Sequence, residues 1–125
     1  MKDKFIIIVD DERVISTIMR LQLKKHCPTF HIEVAESGEE ALEVIEELVD
    51  EGKKLHAVIT DWLMPGMKGD LLLSEVSKNY KCSKKIIVSG QADGEAIKRA
   101  FDDYGLDKFF PKPWPEDELI TTINS

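Results

Sequence analysis

Apolar positions along the chain alternate between two patterns. Residues 5–9 (Phe5, Ile6, Ile7, Ile8, Val9) are apolar throughout and rich in β-branched side chains, the mark of a strand covered on both faces. Residues 13–26 then place Val14, Ile15, Ile18, Met19 and Leu21 at helical spacing among Arg20, Gln22, Lys24 and Lys25. They predict a helix with that apolar side, ended at Cys27-Pro28 because the residue before a proline is pushed out of the α region. Residues 31–35 alternate polar with apolar, as a half-exposed edge strand does. Ser37-Gly38-Glu39-Glu40 has the form of a capping box, in which the serine oxygen and the glutamate carboxylate reciprocally satisfy free N–H groups at a helix start. Ala41, Leu42, Val44, Ile45, Leu48 and Val49 supply the stripe of that helix, acids most of its remainder, and Gly52 its end.

The alternation continues to the last residues. Residues 55–60 read as a third strand, and Gly69-Asp70 opens a helix to about Tyr80 with Leu71, Leu72, Leu73, Val76 and Tyr80 on its apolar side. Residues 84–88 form another strand, continuously apolar after its two lysines. Asp93 is placed to cap a helix over 94–104, with Ala96, Ile97, Ala100 and Phe101 facing inward and Gly105 ending it. Residues 107–111 read as the fifth strand. Trp114-Pro115-Glu116 starts a last helix, with proline at its first position, acids in its first turn, and Leu119, Ile120 and Ile123 as its stripe. Strand and helix thus alternate five times without a linker or repeat, which predicts one α/β domain over residues 1–125. Its core is a five-stranded parallel sheet of the doubly wound, flavodoxin-like class, with order 2-1-3-4-5 and helices on both faces.

Composition narrows the function classes. The 125 residues, 42% hydrophobic, suit a single core. A formal net charge of -7 and a pI near 5.0 argue against electrostatic binding to nucleic acid or to an anionic membrane. Cys27 and Cys82 lack paired or metal-like spacing and read as two reduced thiols. The start, Met1-Lys2-Asp3-Lys4 and a short apolar run, does not resemble a signal peptide, and no stretch approaches the roughly 20 apolar residues that span a bilayer. A cytoplasmic location is expected.

The chemistry gathers where the continuous strands end. The first releases Asp10-Asp11-Glu12, the third Asp61 ahead of Pro65 and Gly66, the fourth Ser89-Gly90 and the fifth Lys112-Pro113. Parallel strands bring these groups to one edge of the sheet. Asp10, Asp11 and Asp61 offer oxygen donors with no His or Cys cluster, which favours a hard cation such as Mg²⁺, and a divalent cation also removes their mutual repulsion. Lys112, restricted by Pro111 and Pro113, is suited to neutralise a phosphoryl oxygen, and Ser89 to donate a hydrogen bond to one. Singly, an acidic loop start, a solvated lysine and a turn serine are ordinary features. Their convergence favours a site.

These motifs resemble the receiver (CheY-like) domain of a two-component system response regulator, over essentially the whole chain. The carrying residues are Asp10-Asp11, Asp61-Trp62-Leu63-Met64-Pro65 with Gly69 eight positions past Asp61, Ser89, and Phe109 three positions before Lys112-Pro113. The resemblance implies a phosphorylation-controlled switch in a phosphorelay. Asp61 would accept a phosphoryl group from the phosphohistidine of a sensor histidine kinase or phosphotransfer protein, with Mg²⁺ held by Asp10, Asp11, Asp61 and the backbone carbonyl of Leu63. Lys112 would offset charge on the transferring group, the Ser89 hydroxyl would move toward the phosphate, and Phe109 would turn inward behind it. The surface of the fourth helix, fifth strand and fifth helix would change, presenting the state to an output domain or downstream protein. Direct nucleic-acid binding and membrane attachment are not expected of the domain. The only catalysis implied is the domain's own phosphorylation and dephosphorylation.

Two departures from the common family pattern matter. Phe109 stands where a tyrosine is often found, so no phenol hydroxyl reports the switch. Leu63 and Gln91 sit where the family tunes water attack on the acyl phosphate, and apolar Leu63 predicts slow dephosphorylation. Two other readings compete: a receiver-like interaction module that is never phosphorylated, and a small Mg²⁺-dependent phosphohydrolase. The hydrolase would need an acid or base two residues past Asp61, where Leu63 stands. The short final helix, whose stripe breaks off after Ile123, leads to the expectation of a receiver cut from a longer protein.

Overall fold

Burial switches face from residue to residue along the central strands of the computed structural model, which describes residues 3–91 and 93–125. In β1 (Lys4–Val9), Phe5, Ile7 and Val9 join one apolar cluster while Ile6 and Ile8 join another. β3 (Lys54–Thr60) and β4 (Lys84–Ser89) divide in the same way, Val58 and Ile87 to one side and Ile59 and Ile86 to the other. A strand buried on both faces has no polar alternation to show, which is why these segments read as unbroken apolar runs. The first cluster lies under α2 (Gly38–Asp50), α3 (Gly69–Asn79) and α4 (Gly94–Tyr104). The second lies under α1 (Arg13–His26) and α5 (Glu116–Ile123). All strand pairs are parallel and the order is β2-β1-β3-β4-β5, as expected.

The sheet ends in two short edges. β2 (His31–Ala35) is partly exposed along its length, with the His31 ring hydrogen-bonded to the Glu33 carboxylate. β5 (Lys108–Pro111) has only four residues and finishes on a proline. Met1 and Lys2, part of the start that reads as unlike a signal peptide, lie outside the described residues. No helix among those described is long and apolar enough to cross a membrane.

Several local expectations need correction. On α1 the buried face consists of Ser16, Met19 and Leu23, whereas Val14 and Leu21 are 71% and 63% exposed and Ile18 is exposed as well. A helix turned by its packing on β1 and β2 buried a serine and left a more apolar stripe outside; Ser16 is accommodated because its hydroxyl donates to the Arg13 carbonyl. Leu71 and Phe101 also face outward rather than inward. The capping box is half realised: Ser37 Oγ accepts the Glu40 N–H at 3.1 Å, but Glu40 Oε2 accepts the N–H of Glu36, not that of Ser37. Pro115 is the N-cap of α5, one position ahead of the first helical residue. Asp93 does cap α4, accepting the Glu95 N–H at 2.9 Å, and Gly105 closes that helix at φ 69°, a conformation that glycine adopts without strain.

Candidate functional site

β1 and β3 lie side by side, so their exits deliver Asp10 and Asp61 to the same point. The two carboxylates are 4% and 7% exposed, and Asp11 stands beside them in solvent. One oxygen from each of Asp10, Asp11 and Asp61 falls within 4.8 Å of the others. Backbone bonds fix the two buried acids: Asp10 Oδ1 accepts the Glu12 N–H at 2.8 Å, and Asp61 Oδ1 accepts the Trp62 N–H at 2.7 Å. Each acid thereby keeps its other oxygen for the site.

That second oxygen meets Lys112 in both cases. Lys112 Nζ donates to Asp10 Oδ2 at 2.8 Å and to Asp61 Oδ2 at 3.0 Å, and Glu12 Oε1 lies 3.8 Å away. Burial pushes the Asp10 carboxyl above its ordinary range against the opposing pull of Lys112 and the Glu12 N–H, and the Asp61 charge adds to the rise. For Lys112 burial works downward, but the hydrogen bonds and charges of Asp10 and Asp61 outweigh it and raise its pKa. The two directions agree physically: a cluster of acids favours the ammonium, while burial disfavours the Asp10 carboxylate.

Gly69 seats the loop behind Asp61. Its N–H donates to the Trp62 carbonyl at 3.0 Å, and a Cβ there would stand 2.3 Å from the Asp61 carbonyl oxygen, a distance no side chain tolerates. The start of α3 can approach the acidic loop this closely because the residue is glycine. In front of Asp61 a cavity of about 390 Å³ is lined by Asp11, Leu63, Ser89, Gln91 and Lys112, together with Glu12 and Gly90. The candidate residues thus converge, with two qualifications. Ser89 Oγ donates to the Gln91 carbonyl at 2.9 Å and accepts the Gln91 N–H, so its hydroxyl is turned along its own loop. Phe109 does not line the cavity and packs half-buried against the cluster under α2, α3 and α4.

Glu12, which the sequence pattern does not mark as a site residue, lies close enough to Lys112 to share it with the two aspartates. Its adjacency to Asp10-Asp11 was the available signal. Three oxygen donors of mixed burial beside a cavity suit a hard, partly hydrated cation such as Mg²⁺, which keeps several waters and takes few carboxylates. The arrangement offers a carboxylate at a cavity mouth, a fixed ammonium beside it, and a hydroxyl within the same lining.

Known proteins resemble the chain in sequence and in fold. The sequence model described as the response regulator receiver domain matches residues 6–124. The sensor kinase CckA of Brucella abortus (strain 2308) is 36% identical over 118 residues, which cover 94% of this chain and 12% of that protein. The hydrogenase transcriptional regulatory protein HoxA of Bradyrhizobium diazoefficiens is 27% identical over 118 residues, 94% of this chain and 23% of that one. The chain spans 12% to 31% of the length of these and two further curated relatives. Among solved structures, a CheY-like response regulator receiver domain protein from Methanospirillum hungatei JF-1 aligns with a TM-score of 0.80 at 27% identity, over 97% of this chain and 90% of that one.

Proposed function

The chain belongs to the response regulator receiver domain family, and from that premise we propose that it is a phosphorylation-controlled switch whose phosphoacceptor is Asp61. Receiver domains of two-component systems are signalling modules rather than enzymes working on external substrates. The observation that carries the proposal is Lys112 Nζ held between Asp10 and Asp61 at the mouth of the cavity. An ammonium fixed there can offset charge on a phosphoryl group entering beside Asp61.

In the proposed reaction an Asp61 carboxylate oxygen attacks the phosphorus of a phosphohistidine on a partner kinase or phosphotransfer protein. The new bond is an acyl phosphate; the phosphorus–nitrogen bond breaks and its electron pair stays on the imidazole. Asp10, Asp11, Asp61 and the Leu63 carbonyl would hold Mg²⁺, which when bound neutralises charge on the oxygens of the transferring group. Trp62 N–H holds the Asp61 carboxylate in one orientation, so little positioning remains to be done during transfer.

Ser89 gives up its bond to the Gln91 carbonyl and turns to the phosphoryl oxygen, and Phe109 follows inward, altering the α4-β5-α5 surface read by an output domain or downstream protein. Leu63 and Gln91 border the path of attacking water, and Leu63 has no polar group to orient it. Mass spectrometry after treatment with a small phosphodonor tests this reading. It should find one phosphoryl adduct that needs Mg²⁺, is absent in Asp61→Asn and decays slowly once the donor is removed. No adduct, or steady turnover of an external phosphomonoester, would overturn it.

A further inference from the structure

Three of the chain's five prolines fall in the run Pro111-Lys112-Pro113-Trp114-Pro115 that joins β5 to α5. Pro111 and Pro113 are exposed, so burial of apolar surface does not account for them. What the prolines supply is stiffness: each fixes its own φ and narrows the choices of the residue before it, Lys112 and Trp114 included. Lys112 and Trp114 are the run's only side-chain donors, and both are carried on this restricted main chain.

The two donors are tied to different parts of the fold. Lys112 Nζ enters the acidic cluster, donating to Asp10 and Asp61. Trp114 Nε1 donates to Gln22 Oε1 on α1 at 2.8 Å, across 92 positions of sequence, and its ring packs half-buried on the cluster under α1 and α5. Gln22 is well placed to serve as a fixed point, because its neighbour Leu23 and Met19 three residues earlier are buried beneath the helix. On the other side of Lys112, Pro111 is paired in register with Ser89. The main chain at the lysine is thus anchored at both flanks, by β4 before it and by α1 after it. A lysine has a flexible four-carbon stem with much freedom to lose, so how well its ammonium stays between two carboxylates depends on where its Cα is held.

We propose that Gln22 and Trp114 are positioning residues for Lys112: the indole N–H bond to α1 sets the place from which the ammonium spans Asp10 and Asp61. Neither residue lines the cavity in front of Asp61, so neither touches the reacting atoms. The consequence for phosphoryl transfer rests on the reading of Asp61 as phosphoacceptor, whereas the consequence for the Lys112 ammonium does not. An indole that only covered the core would leave that ammonium where it is.

Ammonium-detected NMR of the chain with isotope-labelled lysine, in metal-free buffer, reads the position directly. Lys112 should give a resolved Nζ signal set apart from those of the surface lysines. That signal should move toward theirs in Gln22→Met and in Trp114→Phe, and stay in place in Gln22→Glu, where an acceptor oxygen remains. No resolved signal in the native chain, or one unmoved by Gln22→Met and Trp114→Phe, would overturn the proposal, as would Gln22→Glu behaving like Gln22→Met. Adduct formation from a small phosphodonor at saturating Mg²⁺ gives the second readout. Gln22→Met and Trp114→Phe should each slow it about fivefold, on the scale of one hydrogen bond, yet have no further effect once Lys112→Met is present. Equal slowing in the Lys112→Met background would mark a general structural effect and overturn the link to Lys112. No adduct in the native chain would instead count against Asp61 as phosphoacceptor, and the NMR result would then decide the positioning alone.

Discussion

Lys112 serves three acids at once, and so leaves Asp10 carrying a charge that burial opposes. A carboxyl whose folded pKa is raised contributes stability below its unfolded value and loses that contribution as pH rises, so at neutral pH the Asp10 charge weakens the fold. Asp10→Asn should therefore raise stability in metal-free buffer and be stabilised less by added Mg²⁺ than the native chain is. Urea unfolding with and without Mg²⁺ measures both, and a metal-free loss of stability would contradict the charge argument. Cys82 gives a second pH dependence. Burial pushes its thiol from 9.0 to about 11, so the stability tied to the neutral thiol is fully present below pH 9 and is lost as pH rises toward 11. A thiolate absorbance titration should show Cys82 ionising well after Cys in the unfolded chain.

Among the elements, α1 best separates packing from pattern. Its outward stripe of Val14, Ile18 and Leu21 makes an uncommon demand: Leu21→Ala should change stability by less than about 0.5 kcal/mol. Leu23→Ala, at a fully buried position, should cost about 2 to 5 kcal/mol, and thermal unfolding of the two variants compares them directly. The sequence could not assign these faces, because both sets, Val14/Ile18/Leu21 and Ser16/Met19/Leu23, have helical spacing and the first has more apolar bulk. Neighbouring strands decide which stripe is covered. Strand positions are easier to read, since β1, β3 and β4 each carry an inner apolar run and each leads to a polar group at its exit. The same exits made Asp10, Asp11, Asp61, Ser89 and Lys112 legible as one cluster. The sharing of Lys112 with Glu12, and the turning of Ser89 toward Gln91, depend on side-chain geometry that spacing does not carry.

Across the whole molecule, burial is uneven. β1 is paired on both sides and has five consecutive buried residues, whereas α4 buries only Ala96 and Ala100 among its described side chains. Amide exchange should be slowest in β1 and β3 and much faster in α4, because small side chains contribute little apolar area to hold a helix down. Exchange in α4 as slow as in β1 would argue against a readily altered surface there. The edges of the sheet set a different limit. β2 offers an edge carrying His31 and Glu33, and β5 offers four residues closed by Pro111, which has no N–H to donate. Neither margin is a good template for another chain's backbone, so the sheet resists lengthening by strand addition. Another protein, or a second copy of this one, is better met through helix faces and loops, where side chains rather than main-chain ladders determine the match.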